Sequence, residues 1–469
     1  MKKLILLFMT VSLLFGSEYQ KWLETQHQDF KQYKKTIDDE FTDMLKKDWQ
    51  AFKTMYNPTP YKKPKPKQLP IIKKEIIIPQ KEIEKSIKVK IKQVPKEKVF
   101  TKIKKVEKKE GFENINIDFF SLSLPIQYDS KLYITLIHNN KGISKYWEHI
   151  NKTKYQVLIN QIKNYQKDLN LNDWATYLLI HKIGSKIYKE DNFANLFSWF
   201  ILSKMHYNVK VGYNQEKIYL LGTIQHKVYQ VSFFRLKNKR YYVLTPSGRV
   251  KKIDNIYTYK GRYPNTTKSL TFAFNQPIKL YGDIKKRDLT FEYDMMDFNL
   301  KASYSQNLVN FYSTFPQSDY QIYFNTTSTQ TSYSLLEQLK PIIEHKSELE
   351  AVNILLRFVQ TSFSYKTDQK QFSYEKVFFP EETLFYPYSD CEDRSIMFRF
   401  LVKELLGLDV VAVKFSNHLA TAVAFSSSIK GDSFNYNGKR YTMADPTYVN
   451  ANVGMTMPKY AKSRFKIIP

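Results

Sequence analysis

The stretch Tyr386-Pro387-Tyr388-Ser389-Asp390-Cys391-Glu392-Asp393-Arg394-Ser395 contains the only cysteine of a 469-residue chain. Behind it Ile396, Phe398, Phe400, Leu401 and Leu405 form an apolar-periodic run, so a helix begins here. Asp390 is placed to cap that helix, and Asp393 stands three residues later, the spacing of a capping box. Gly407 suits the left-handed residue that closes a helix. Cys391 therefore falls at the first helical position, where unpaired backbone N–H groups and the helix dipole favour a thiolate. The flanking carboxylates push the other way, and an imidazolium is needed to outweigh them.

Two later segments supply that partner and a third group. Asn417-His418-Leu419-Ala420-Thr421-Ala422-Val423 and Ala444-Asp445-Pro446-Thr447-Tyr448 both read as strand text. Twenty-seven residues separate Cys391 from His418 and again His418 from Asp445, so all three fit one helix-plus-hairpin unit. Taken singly, a cysteine is an ordinary small core residue and Asp-Pro-Thr an ordinary turn. Together, in this order and with these flanks, they resemble the transglutaminase-like branch of the papain-like cysteine protease fold, over about 345–460. The resemblance implies an α+β catalytic domain with a Cys391–His418–Asp445 triad and acyl transfer through a thioester. In such triads the histidine moves the proton and the aspartate fixes its tautomer.

The surroundings extend this reading. The backbone N–H of Cys391 is a natural oxyanion donor, and Gln371, Tyr386 and Tyr388 are candidates for a second. Glu381, Glu382, Asp390, Glu392 and Asp393 read as an acidic rim, suited to a basic substrate or simply to solvation, with Arg394 paired to one of them.

Working outward, residues 1–17 read as a secretory signal peptide: Met-Lys-Lys, an apolar run from Leu4 to Phe15, then Gly16-Ser17. Residues 18–57 read as one amphipathic helix, because Phe30, Phe41 and Phe52 recur every 11 residues, as do Trp22, Tyr33, Met44 and Met55. Such a stripe packs on its own protein, on a membrane surface or on a second copy in self-association. Residues 58–110 form a disordered basic linker, with 18 lysines against 6 glutamates over 61–110. Its Ile76-Ile77-Ile78 run suits a strand formed on binding.

Globular text resumes at 111–250, with helical patterns at 143–168, 172–189 and 192–206. An internal repeat appears here: Lys237-Asn238-Lys239-Arg240-Tyr241 through Ser247 parallels Asn437-Gly438-Lys439-Arg440-Tyr441 through Thr447, at an offset of 200. The triad positions then fall near Glu190 or Asp191, Ile218 and Thr245, none able to do the chemistry. Residues 111–250 thus read as a degenerate transglutaminase-like domain, serving as a binding wall for the live one. Residues 251–335 alternate (Leu270, Phe272, Phe274; Leu289, Phe291, Tyr293; Tyr320, Ile322, Phe324) and predict an antiparallel β unit, β-sandwich-like. Residues 336–469 are the catalytic domain, with a helix at 348–361 whose Ser347 and Glu350 have capping-box spacing.

The net charge of +28 is not read as nucleic-acid binding, since no recognition module is present. It suits a solvated linker, or anionic envelope surfaces met through 58–110. No cofactor is expected. No metal is expected either: the histidines at 27, 138, 149, 181, 206, 226, 345 and 418 lack paired ligand spacing, and there is no second cysteine. The sequence therefore points to an exported, periplasmic or envelope-associated peptidase or amidase acting on peptides or proteins, peptidoglycan peptides among them. Protein-glutamine transamidation and a non-catalytic envelope scaffold are the alternatives.

Overall fold

The computed structural model describes residues 19–59, 66, 68–72, 107, 109–137, 139–215, 217–250, 252–280, 282–326 and 333–469, with the backbone of 2–18 and 332. Most of the 58–110 linker, including 76–78, lies outside the described residues. The first element is α1 (Lys2–Lys47). Among the described residues no helix is long and apolar enough to cross a membrane.

The 18–57 stretch is not one helix to its end. After Lys47 the chain enters β1 (Trp49–Lys53) and β2 (Met55–Tyr56), and Trp49 donates its indole N–H back to Leu45 O. Phe52 keeps the eleven-residue interval yet lies in β1, because a strand partner distant in sequence competes with the helix and wins. The stripe also divides by burial. Phe41 and Leu45 sit in the protein's own core, whereas Trp22, Phe30 and Tyr33 are 55%, 64% and 61% exposed.

A hairpin of β3 (Phe112–Phe119) and β4 (Leu122–Asp129) leads to α2 (Asn140–Asn151), α3 (Tyr155–Asp168), α4 (Asp173–Tyr188) and α5 (Asp191–Lys204). Asn139 and Asn172 cap α2 and α4 by accepting from Gly142 N and Ala175 N, each worth about 1 kcal/mol. α4 and α5 are apolar almost all round because they are interior helices. α5 delivers the chain to β5 (Val209–Asn214), β6 (Lys217–Thr223), β7 (Ser232–Leu236) and β8 (Lys239–Leu244), and β9 (Asn255–Tyr259) follows. The strand order is β1-β9-β5-β6-β8-β7-β2. β1 and β2 occupy opposite edges although only Thr54 lies between them. One stretch, 49–56, therefore stitches a curled sheet to itself, Thr54 N donating to Asp254 O at 3.0 Å.

Residues 251–335 do not form a sandwich. β9 belongs to the sheet just described; β10 (Ile284–Tyr293) and β11 (Met296–Ser305) make a two-stranded hairpin, and α6 (Gln306–Ser313) and α7 (Tyr320–Phe324) follow. The alternation at Tyr320, Ile322 and Phe324 misleads because Tyr323 is buried too. Tyr320, Tyr323 and Phe324 share a helical face. Leu270 and Phe272 are buried without joining a strand, Leu270 meeting Ile224 in an isolated bridge.

α8 (Ser332–Ile343) and α9 (Glu348–Thr361) pack on the β10–β11 hairpin, with Ser347 Oγ accepting from Glu350 N at 3.2 Å. Next come β12 (Ser364–Tyr365), α10 (Asp368–Gln371), α11 (Pro380–Phe385), β13 (Tyr388–Ser389) and α12 (Cys391–Leu406). α12 ends at Gly407, whose φ of 69° is the left-handed geometry expected of it. β14 (Asp409–Lys414), β15 (Leu419–Ala424), β16 (Ser433–Tyr436), β17 (Lys439–Ala444) and β18 (Lys466–Ile468) form a five-stranded antiparallel sheet, ordered β16-β17-β15-β14-β18.

Each half of this mixed α and β fold thus sets one helix ahead of four antiparallel strands in the same order, β5-β6-β8-β7 and β14-β15-β17-β16. The strand numbers keep the offset of the sequence repeat: β8 runs Lys239–Leu244 and β17 runs Lys439–Ala444. One apolar core extends from α2–α5 through Phe315 and Phe379 to Cys391, Ile396 and Leu419. Cys391 accordingly lies where the halves meet.

Candidate active site at the start of the C-terminal helix

Cys391 takes the first position of α12, as its flanks predict. Asp390 N donates to Asp393 Oδ2 at 3.0 Å, and Phe378 N donates to Asp393 Oδ1 at 2.9 Å. One turn on, Ser395 Oγ lies 2.7 Å from Cys391 O and 3.0 Å from Leu419 O. Leu419 follows His418 directly, so Ser395 clamps the turn of the thiol to the strand of the imidazole. Its only sequence signal is a hydroxyl one turn behind the cysteine.

His418 Nε2 is 2.8 Å from Asp445 Oδ2. Asp445 Oδ1 accepts from Thr447 N at 3.0 Å and from the Thr447 hydroxyl at 2.6 Å, while Gln360 of α9 donates to Asp445 O at 3.1 Å. Burial alone would raise the Asp445 carboxyl. The charge and hydrogen bond of His418, with the donors of Thr447, outweigh it and hold Asp445 below the usual carboxylate value. With Nε2 committed to Asp445, His418 Nδ1 has no hydrogen-bond partner among the described residues. The Tyr460 ring stacks on the imidazole at 5.1 Å and 7°, and its hydroxyl donates to Asn417 Oδ1 at 2.8 Å. Burial, then the charges of Cys391 and Asp445, push the Tyr460 phenol above its usual value, so this ring senses both the thiol and the carboxylate. Thr447 and Tyr460 were not singled out in the sequence, although Thr447 lies within the quoted Asp-Pro-Thr turn.

The site is closed. Cys391 and His418 are each 1% exposed and Asp445 2%, and Cys391 Sγ donates to Glu392 Oε2 at 3.1 Å. The acidic rim is corrected in the same way: Glu381, Glu382, Asp390, Glu392 and Asp393 are all buried. Residues 374–379 close this region against the stretch between the halves, with the Phe379 ring packed on Phe274, Tyr312, Phe315 and Tyr323, and Val377 N donating to Gln317 Oε1. Lys376 of this segment pairs with Glu382. Arg394 does not spend its guanidinium on a carboxylate in the bonds seen here. It donates to Ser389 Oγ at 3.2 Å, to Gln360 O at 3.1 Å and to Phe363 O, and burial lowers it to about 10. Of the candidate second oxyanion donors, Gln371 ends α10, Tyr386 stacks on Phe378 at 4.7 Å, and Tyr388 lies exposed under the Lys366 ammonium.

Acidic oxygens crowd beside the thiol. Ligand atoms of Asp368, Asp390 and Asp393 lie within 4.8 Å of one another, as do those of Asp368, Glu375 and Glu392, and of Asp390, Cys391 and Glu392. Such an oxygen-rich set suits a hard cation better than zinc. Searching for paired His and Cys spacings misses it, because the donors come from separate segments.

The first half places its own residues at matching positions. Asp191 opens α5 as Cys391 opens α12. Asn195 Nδ2 donates to Ile218 O at 2.9 Å where Ser395 reaches Leu419, and Thr245 Oγ1 lies 3.2 Å from Ser247 Oγ where Asp445 meets Thr447. A small hollow beside Thr245 is lined by Trp174, Ile224, Val228 and Pro316, well apart in sequence from Cys391. Compared with models of known families, with curated proteins and with solved structures, the chain matches none.

Proposed function

We propose that the chain is a cysteine-dependent acyl-transfer enzyme of the transglutaminase-like kind its motifs resemble, cleaving peptide or carboxamide bonds. The observation that carries this reading is the buried His418–Asp445 pair, 2.8 Å apart, with Leu419, the residue after His418, clamped by Ser395 to the turn bearing Cys391. In the proposed cycle Sγ attacks the carbonyl carbon while the thiol proton passes to His418 Nδ1. His418 then protonates the leaving amine, which departs as the thioester forms, and the Cys391 N–H stabilises the oxyanion. Water then attacks the thioester and gives a proton to His418; the acyl–sulfur bond breaks, the acid product leaves, and His418 returns that proton to the Cys391 thiolate. An amine in place of water would make the same site a transamidase. With residues 1–17 as a signal, the setting is the cell envelope and peptidoglycan peptides are a reasonable substrate class.

A second reading has its own support. A thiol 1% exposed suits a scaffold that holds a triad without using it. Labelling with iodoacetamide across pH separates the two. An active site gives alkylation that is accelerated at neutral pH and lost in His418→Ala; an inert thiol, or one insensitive to His418, rejects the enzyme.

A further inference from the structure

Residues 66 and 68–72, a described piece of the basic linker, lie across the C-terminal half. Pro66 O accepts from the Tyr365 hydroxyl at 2.8 Å. Ile71 forms a parallel bridge with Val449, in which Val449 N donates to Pro70 O at 3.3 Å and Ile72 N donates to Val449 O at 3.1 Å. Asn450 Nδ2 donates to Ile72 O at 2.9 Å.

The two anchors flank the triad. Tyr365 is in register with Ser389, two residues before Cys391, and Val449 stands four residues after Asp445. Ile72 packs on the apolar cluster that contains Tyr448, Met457 and Tyr460, and Tyr460 is the ring stacked on His418. We infer that the seam between Tyr365 and Val449–Asn450 is a groove for an extended, apolar, proline-tolerant peptide, and that residues 66 and 68–72 of this chain occupy it in cis.

The contacts describe what such a peptide must offer. All four hydrogen bonds go to its main chain, three to carbonyls and one from an N–H, so recognition reads backbone before side chain. Pro66 and Pro70 contribute only carbonyls and lose nothing by lacking an N–H. Side chains alternate as in a strand: Ile71 is 63% exposed, while Pro70 and Ile72 are half-buried. Each bond is worth about 1 kcal/mol net, so the segment holds its place chiefly through the millimolar effective concentration of a tether. A tethered occupant is displaceable by a peptide in trans. The consequence for Cys391 rests on the proposed function: with the seam filled, the thiol is shielded, and emptying it admits substrate.

The test uses the full chain with 66–72 replaced by an equal length of Gly and Ser, and the double variant Tyr365→Phe/Asn450→Ala. The probe is a fluorescein-labelled synthetic peptide of sequence Pro-Lys-Gln-Leu-Pro-Ile-Ile. We expect the replaced chain to bind it about tenfold more tightly than the native chain, as removal of a millimolar competitor requires. Adding Asn450→Ala to that chain should weaken binding. Alkylation of Cys391 by iodoacetamide should quicken about tenfold, and the double variant should show several-fold quickening even if the replaced chain does not fold. A folded replacement that neither binds the peptide nor exposes the thiol overturns the inference, as does an unchanged double variant. Repeating the peptide binding in Cys391→Ala keeps the questions apart: binding retained there leaves the groove standing even where the native chain shows no thiol chemistry and the enzyme reading fails.

Discussion

The two halves solve the same mechanical problem with different residues. In each, a side chain one turn into the helix reaches the second strand of the first hairpin, Asn195 to Ile218 O and Ser395 to Leu419 O. In each, the strand before the turn ends in a residue bonded to a hydroxyl two positions on, Thr245 with Ser247 and Asp445 with Thr447. The geometry that would orient a triad is therefore present where there is no thiol to orient. What separates the halves is identity at a few positions and the first hairpin. Asn214 pairs with Lys217, but Lys414 pairs with Leu419, and the longer second loop is where His418 is housed. Scaffold contacts alone say little about chemistry; the residues they deliver decide it.

The sharpest way to break this comparison is to remove chemistry from one half and its counterpart from the other. Cys391→Ala and His418→Ala should each cut amide turnover by about 10⁴-fold, with the melting temperature little moved by the first and lowered by the second, which leaves buried Asp445 unpaired, and Thr245→Ala should leave turnover unchanged. A comparable loss in Thr245→Ala would show that the first half takes part in the reaction.

A second contrast concerns stability. Lys210 is fully buried on β5 where β14 has Val410, and burial, only partly offset by Asp48, lowers it from 10.5 to about 7. Between those values the unfolded chain holds the proton and the folded chain has lost it. Stability therefore rises with pH across that window, and below about 7 the full cost of burying the charge is present. Lys210→Met should stabilise the protein at pH 6 by up to roughly 4 kcal/mol and flatten the rise toward pH 10. Denaturant melts at the two pH values check it; an unaltered slope would reject the assignment. Smaller again, Thr447→Val should lower kcat about tenfold with KM little changed, since it strips one donor from Asp445, whereas Ser247→Ala should do nothing. Smallest, Ser395→Ala and Asn195→Ala should each cost about 1 kcal/mol of stability, by chemical denaturation, but only the former should also slow alkylation of Cys391.

Local signals were legible in the sequence and distant ones were not. α12 runs from Cys391 to the residue before Gly407 because cap, periodicity and stop agree within one short window. α9 and the repeat at offset 200 were equally local or directly comparable. The failures share a different cause. Phe52 left its helical interval because β9 was there to pair with, and Tyr320–Phe324 coiled because Tyr323 had a core to enter. Glu381, Glu382 and Glu392 read as surface residues by type, and only the packing of Phe379 against Phe274, Tyr312 and Phe315 shows why they are not. For the site, the order of thiol, imidazole and carboxylate was legible, while its closure was not, since Phe379 packs on Phe274, Tyr312 and Phe315, residues distant in sequence.

The stitch at 49–56 has a consequence for how the protein is made. Thr54 bonds to Ile253 O across 199 residues, so a nascent chain presents the stitching segment long before the strands it must join. Closing so long a loop is slow relative to local hairpins. Until then β9 and β7 stand as unpaired borders, open to any extended segment nearby. A protein severed after residue 57 would keep those borders only by retaining the fragment. Lacking it, two such molecules would have reason to exchange strands, and the newborn protein is in the same danger until its own beginning comes back to meet it.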